Sequence, residues 1–367
     1  MRIGYFLRLP IVALKVLVTE GWAGFQAKFT AWSSRLASGQ LTHEIMAGGG
    51  NKTRVVNKTY FAEKVDIPKI FGVLENGFGG IHFSEKGSLD VVVPIYNAYE
   101  EFLHCLYSLL KHQDVYKIIL LDDCSTDIRV KDLLRALKDH EHERFIVESN
   151  PRNLGYLKTA NKGMKMAQND VILLNTDTIV TTGWARKMRA CAYSDDRIAT
   201  VTPFTNNGRM CSVPEFLEDN EIPEGFTVDS FAACVESASS HCYPELVTAV
   251  GFCMYIRRNV IDEIGYFDEA TFEKGYGEEV DFSFRAASKG YKNILCDNTF
   301  VFHKGKASFL DTPDTLTLLG KNNDLVAEKY PELWEALVVF ERSNPLKELH
   351  GRLGREMAAW NVRGKKG

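Results

Sequence analysis

The chain has 367 residues, 45% of them apolar and 25% charged, the composition of a folded globular protein with length for one large domain plus appendages. A formal net charge of -4 leaves no basic excess for a phosphate backbone, so nucleic acid is not expected as a partner. Eight cysteines stand singly with no C-x-x-C pair, a usage that fits reduced thiols in a cytoplasm.

Residues 1–38 carry apolar side chains at spacings of three and four, from Ile11, Leu14 and Val18 through Trp22, Phe25 and Phe29 to Trp32 and Leu36. This predicts an amphipathic helix or helix pair, basic because Arg2, Arg8, Lys15, Lys28 and Arg35 face only Glu20. Such a stripe packs against the main domain or a second protomer, as in a homodimer, or lies on an anionic membrane surface, and both placements are open. The run Phe6–Val18 is too short and too charged to span a bilayer. Residues 39–87, with three glycines at 48–50 and little periodicity, read as a linker with irregular elements.

From residue 88 the pattern changes. Leu89–Asn97, Lys117–Ser125, Phe145–Asn150 and Val171–Asp177 each run a β-branched apolar strand into a polar turn, with helical spacing between them. Strand plus crossover helix, repeated, predicts a mostly parallel α/β sheet with its ligand at the carboxyl ends of the strands. Further on, the pattern predicts a strand at Ile198–Thr202 and a helix at Val228–Ser237. A single long strand over Leu246–Arg257 with Gly251 inside it, a helix at Glu278–Ser288 and an extended segment at Asn293–His303 follow. Leu316–Tyr330 and Pro331–Phe340 have helical spacing, with Pro331 in the first turn of the latter, and the tail 363–367 is expected to fray.

The first turn, Pro94-Ile-Tyr96-Asn97, lacks the glycines a dinucleotide pyrophosphate needs, and no G-x-x-x-x-G-K-[ST] occurs. The turns offer carboxylates and amides instead. Asp122 can accept a hydrogen bond from a nucleobase N–H, and Asn153 and Gly155 can shape a loop against a base or ribose; ordinary strand-end and capping chemistry accounts for the same residue types. Asn175 and Asp177 fall on one side of an extended chain, a spacing that can hold a hard divalent cation against a diphosphate. His303 could add an imidazole, which suits Mn2+ somewhat better than Mg2+. Glu278, Glu279 and Asp281 cluster at a predicted helix start, where they either answer the helix dipole, with Asp281 paired to Arg285, or supply a general base. On position alone, Thr202–Gly208 and the residues around Gly251 are candidates for further ligand contacts.

Taken in order, these motifs resemble the family 2 glycosyltransferases of the GT-A fold, an α/β Rossmann-like arrangement. They are Val-Val-Pro-Ile-Tyr-Asn97, Leu-Asp-Asp-Cys-Ser-Thr-Asp127, Asn153-Leu-Gly-Tyr, Asn175-Thr-Asp177, Gly251-Phe-Cys-Met, Phe267-Asp-Glu269, Gly277-Glu-Glu-Val-Asp281 and His303-Lys-Gly. The resemblance covers roughly residues 88–340 and implies a transferase domain at 88–305 with a helical extension at 306–367. It implies an inverting enzyme that moves a sugar from a UDP- or dTDP-sugar to a glycan or lipid-linked acceptor, in surface polysaccharide assembly on the cytoplasmic side of a membrane. Matched by position, Pro94, Tyr96 and Asn97 would line the nucleotide pocket, Asp122 would contact the base, and Asp123, Asn153 and Gly155 would border the nucleoside. Asp177 would face a Mn2+ or Mg2+ ion with His303, and Glu279 would be the general base. Two departures stand out: Asn175 occupies the first acidic position of the D-x-D motif, and Glu279 stands where the family usually has Asp, so Glu278 or Asp281 could take the role. A non-catalytic sugar-nucleotide-binding assembly subunit is the competing reading. A nucleotidyltransferase is a third, without a triphosphate loop in the chain to support it.

Overall fold

Strand β1 (Leu89–Ile95) alternates its side chains between two separate apolar clusters, and this alternation organises the whole sheet. Val91, Val93 and Ile95 enter one cluster and Val92 the other; on β2 (Lys117–Asp122) Ile118 and Leu120 oppose Ile119 and Leu121, and on β4 (Asp170–Leu174) Ile172 and Leu174 oppose Val171 and Leu173. A strand buried on both faces reads as a continuous apolar run, which is the pattern in the sequence.

The structure is a computed structural model and describes residues 64–75, 89–112, 115, 117–272, 275–305 and 313–364. All of them belong to one compact unit, Arg54–Gly367. The amphipathic stripe of residues 1–38 and most of the predicted linker 39–87 lie outside the described residues. The linker's described part is more regular than expected: Ile67–Glu75 is a helix, α1, started by the Asp66 carboxylate accepting from the Lys69 N–H and anchored by Ile70 and Leu74.

The main sheet has eight strands in the order β3-β2-β1-β4-β8-β6-β9-β7. Here β3 is Phe145–Ser149, β6 Ile198–Phe204, β7 Glu245–Leu246, β8 Cys253–Ile256 and β9 Lys292–Phe300. Strands β3, β2, β1 and β4 pair in parallel; β8 is antiparallel to both β4 and β6, β9 is parallel to β6, and β7 runs antiparallel at the edge. A separate ribbon pairs β5 (Thr178–Ile179) with β10 (Phe302–His303).

Helices cover both faces. On one lie α2 (Tyr99–Lys111), α3 (Ile128–Asp139), α5 (Trp184–Ala192) and α6 (Val228–Ala238), and on the other α4 (Tyr156–Met166), α7 (Arg258–Ile264) and α8 (Glu278–Ser288). After β10 come α9 (Pro313–Lys329), α10 (Leu333–Ser343) and α11 (Lys347–Gly364). Among the described residues no helix is long and apolar enough to cross a membrane.

Two expectations need correction. The strand predicted over Leu246–Arg257 is two short strands, because Ser283 Oγ accepts from the Ala249 N–H at 3.0 Å and Thr202 Oγ1 from the Val250 N–H at 3.2 Å, taking donors that a ladder would have used. Pro331 precedes its helix, whose N-cap is Glu332. The chain from Lys347 to Gly364 is helical, within the extension expected over 306–367; Leu349 and Leu353 are buried and Trp360 stacks on Phe226 at 5.8 Å.

Candidate active site

The carboxyl ends of β1 and β2 meet in register, Ile95 opposite Asp122, and Asp122 lies opposite Ser149 of β3. Beyond them opens a cleft of about 410 Å3. Pro94, Tyr96, Asp123, Asn153, Gly155 and Asn175 line it from the strand ends, and Gly251, Phe252, Glu278, Glu279 and His303 from the second half of the chain.

The side of the cleft formed by the strand ends is shaped by side chains that work behind its wall. Asn97 sits in the left-handed region at φ 54°, where Asn is tolerated, and its Oδ1 accepts from the backbone N–H of Thr126 at 2.8 Å and of Asp127 at 2.9 Å. Asp122 is buried and its Oδ1 accepts from the Ser125 N–H at 2.8 Å. Neither Asn97 nor Asp122 lines the cleft. Asp123 does, and it also gathers the following loop: Asn150 Nδ2, Leu154 N–H and Gly155 N–H all donate to its carboxylate at 2.8 Å. Gly155, at φ 86°, allows the sharp entry into α4 that this grip requires.

The ribbon β5–β10 sets His303 opposite Thr178, one residue beyond Asp177. His303 Nε2 lies 3.5 Å from Asp177 Oδ2, and its Nδ1 is 2.6 Å from the carbonyl of Asn207. A carbonyl can only accept, so Nδ1 carries the proton and Nε2 faces Asp177. Burial pulls the imidazole pKa down, but the Asp177 carboxylate outweighs it and the net shift is upward. Asp177 adjoins His303 without lining the cleft itself. Among the described residues no group of three or more His, Cys, Asp or Glu is gathered as a metal site.

Glu278, buried, and Glu279, half-buried, open α8 and line the cleft, each with an Oε2 that has no hydrogen-bond partner among the described residues. Burial raises the pKa of both. Glu278 rises further, well above the ordinary glutamate value, because the Glu279 charge adds to its burial. Asp281, the third candidate, is elsewhere: fully buried, it accepts from Arg285 Nε at 2.7 Å, Lys329 Nζ at 2.5 Å and Tyr330 OH at 2.7 Å. Its carboxylate is a structural anchor.

Sequence reasoning missed Tyr156, Tyr276 and Leu318 as cleft residues. Tyr156 stands inside a motif already singled out and Tyr276 directly before one, so a signal existed; Leu318 had none. Burial, and then the Glu278 and Glu279 carboxyl groups, push the Tyr156 phenol well above its ordinary value. Of the segment Thr202–Gly208, Asn206 and Asn207 bind the backbone and ring of His303 and do not line the cleft.

A search of the curated proteins found no match. Among solved structures the chain is similar to GalNAc-T7 crystallised with UDP, GalNAc and Mn2+, at 17% identity and a TM-score of 0.50, over 69% of this chain and 52% of that one. It thus spans about half the length of GalNAc-T7. It also matches the mannosyltransferase PcManGT from Pyrobaculum calidifontis in complex with GDP-Man and Mn2+, at 12% identity, a TM-score of 0.43, and 81% and 87% coverage of the two chains. S. aureus TarS 1-349 in complex with UDP-GlcNAc matches at 16% identity, a TM-score of 0.44, and 71% and 75% coverage. The fold, a mixed α/β layer structure on an eight-stranded, mostly parallel sheet, is in line with the GT-A arrangement. Residues 90–265, which hold the parallel strands β1 to β4 and the Asp123–Gly155 wall, match the family Glycosyl transferase family 2.

Proposed function

We propose that the protein is a metal-assisted, inverting glycosyltransferase that moves a sugar from a UDP- or dTDP-sugar to a hydroxyl of a glycan or lipid-linked acceptor. The observation that carries this reading is the Glu278–Glu279 pair, which opens on the same cleft as the Asp123–Gly155 loop. Pro94, Tyr96, Asn153 and Gly155 are the nucleotide wall, while Asn97, Asp122 and Asp123 hold its loops in shape.

Glu279 is the general base. Burial raises the pKa of both carboxyls and the Glu279 charge raises that of Glu278 as well, which favours Glu279 as the proton acceptor. Its free Oε2 takes the proton of the acceptor hydroxyl as that oxygen bonds to the anomeric carbon and the nucleoside diphosphate leaves from the opposite side. A glycoside hydrolase would need two carboxyl groups flanking the bond and no nucleotide wall.

Asp177 and His303 fit a hard divalent cation, Mn2+ or Mg2+: a carboxylate beside an imidazole whose Nδ1–H is fixed by the Asn207 carbonyl, leaving Nε2 to coordinate. Two protein donors leave room for diphosphate oxygens and water, and Asn175 offers an amide at the same mouth. When bound there, such a cation offsets the charge of the departing diphosphate.

The basic amphipathic stripe of residues 1–38 supports placement at the inner face of a membrane, in assembly of a surface polysaccharide; salt-sensitive sedimentation with anionic vesicles tests this. The activity itself is tested by supplying UDP-, dTDP- and GDP-sugars with Mn2+ and an acceptor panel. Release of nucleoside diphosphate with anomeric inversion is expected. Donor binding without release would favour the assembly-subunit reading, and release of pyrophosphate from nucleoside triphosphates a nucleotidyltransferase.

A further inference from the structure

The carboxylate pair follows a turn of uncommon backbone, whose Tyr276 and Gly277 N–H groups donate to the Glu278 and Glu279 carboxylates. Gly275, Tyr276 and Gly277 are three consecutive residues in the left-handed half of backbone space, at φ 121°, 72° and 100°, and Tyr276 has a side chain that disfavours that conformation. Helix α8 follows at once, and its N-cap Gly277 makes no side-chain capping bond. The two glycines adopt such φ values freely, but a tyrosine held there persists only where neighbouring structure determines it.

Here that structure is α9, which lies beyond the residues that match the family. Asn322, almost completely buried, donates from Nδ2 to the carbonyl of Gly275 at 2.6 Å. One turn later Val326 closes over Gly277: a Cβ on that glycine would come within 2.7 Å of Val326 Cγ2 and 3.0 Å of the Phe272 ring. At the helix end Lys329 reaches Asp281 at 2.5 Å, and Tyr330, just after it, reaches Asp281 at 2.7 Å. Both ends of the segment that carries Glu278 and Glu279 are therefore fastened to one helix, which also sends Leu318 into the cleft wall.

We propose that α9 is a working part of the site and that Asn322 is a positioning residue for the reaction, acting through Gly275 to set where Glu278 and Glu279 enter the cleft. The inference rests on the glycosyltransferase reading and adds to it a component that neither the family match nor the motif pattern includes. Asn322 touches no substrate. Its effect is on the alignment of the acceptor hydroxyl with the anomeric carbon, where small displacements carry large rate penalties.

The test compares the full-length protein with Asn322→Ala and Val326→Ala. UDP binding is read by thermal shift with Mn2+, and nucleoside diphosphate release by steady-state kinetics on whichever of the UDP-, dTDP- or GDP-sugars the wild type turns over. For Asn322→Ala, kcat is expected to fall on the order of ten- to a hundredfold with the donor KM and the UDP shift unchanged. Amides of Glu279 to Asp281 should also exchange with deuterium faster than in the wild type. A kcat equal to wild type with unchanged exchange overturns the inference and leaves the functional reading standing. If Asn322→Ala does not fold, Val326→Ala, which only empties the notch above Gly277, is measured in its place: a lower kcat with faster exchange supports the inference, and wild-type values of both overturn it. A wild type that binds UDP but releases no diphosphate from any donor overturns the functional reading, and this inference with it.

Discussion

Phe252 lies flat against His303, ring centroids 5.0 Å apart and planes 20° apart, so the imidazole is clamped on one face while Asn207 fixes its Nδ1. A ring held this way presents Nε2 in one direction only. Phe252→Leu keeps apolar volume but loses the flat contact, and it should weaken Mn2+ by about tenfold, as loss of a ligand's support typically does. Asp177→Ala should remove the metal dependence of UDP stabilisation altogether. A thermal-shift titration of UDP with Mn2+ or with chelator checks both, since ligand at about a hundred times Kd contributes roughly 2.7 kcal/mol. Equal stabilisation of the wild type with and without metal would remove the cation from the mechanism.

The three carboxylates at the head of α8 should separate cleanly by mutation. Glu279→Gln is expected to cost on the order of a hundredfold or more in kcat while leaving UDP binding near wild type. Glu278→Gln keeps the size of the side chain and, with Glu279 as the base, should retain most of the rate. Asp281→Asn is a stability mutant: its carboxylate accepts from Arg285, Lys329 and Tyr330, and the loss should cost about 2 kcal/mol in denaturant melts. Loss of turnover in Glu278→Gln with full turnover in Glu279→Gln would move the base by one residue.

The raised pKa values of Glu278 and Glu279 fix the sign of a pH effect on stability. In the folded protein these groups hold protons that the unfolded chain has released above the usual glutamate value of 4.5, so the fold binds more protons and loses stability as pH rises from there through the folded pKa values. Glu278→Gln should flatten that decline and melt higher than wild type at neutral pH. Melting temperature against pH for the two proteins is the measurement; parallel curves would contradict the assignment.

Gly163 of α4 is a contact point rather than a hinge. A Cβ there would come within 2.2 Å of Val92 Cγ1 and 2.9 Å of Leu121 Cδ1, both central in the sheet. Gly163→Ala should therefore destabilise by about 1–3 kcal/mol despite its better helix propensity, as overpacking does. Chemical denaturation is sufficient to test it.

The strands β1 to β4 were legible because double-sided burial leaves a continuous apolar signature that ends in a polar turn, and the cleft residues Tyr96, Asp123, Asn153 and Gly155 follow from where those turns fall. Asn97 and Asp122 carried the same signature yet turn inward to hold loops, because a side chain's direction at a strand end depends on which backbone N–H groups lie near it. The break between β7 and β8 was not legible: the hydroxyls that satisfy Ala249 and Val250 come from Ser283 and Thr202, distant in sequence. Nor was the grip of Asn322 on Gly275, a contact across 47 residues with no periodic trace.

One strand running against its neighbours has a further effect. Because β8 is antiparallel to β4 and β6, its entrance lies beside their exits, and Val250, Gly251 and Phe252 are delivered to the cleft by a loop that arrives where β1, β2, β4 and β6 depart. That loop is tethered by β7 at one end and β8 at the other, with no crossover helix to keep in register. It is fixed instead from the side: Ser283 and Thr202 accept from the Ala249 and Val250 N–H groups, and Phe252 packs on His303. The reversed strand thus ties this rim of the cleft to α8, β6 and β10, while the opposite rim is carried by the ends of β1 and β2.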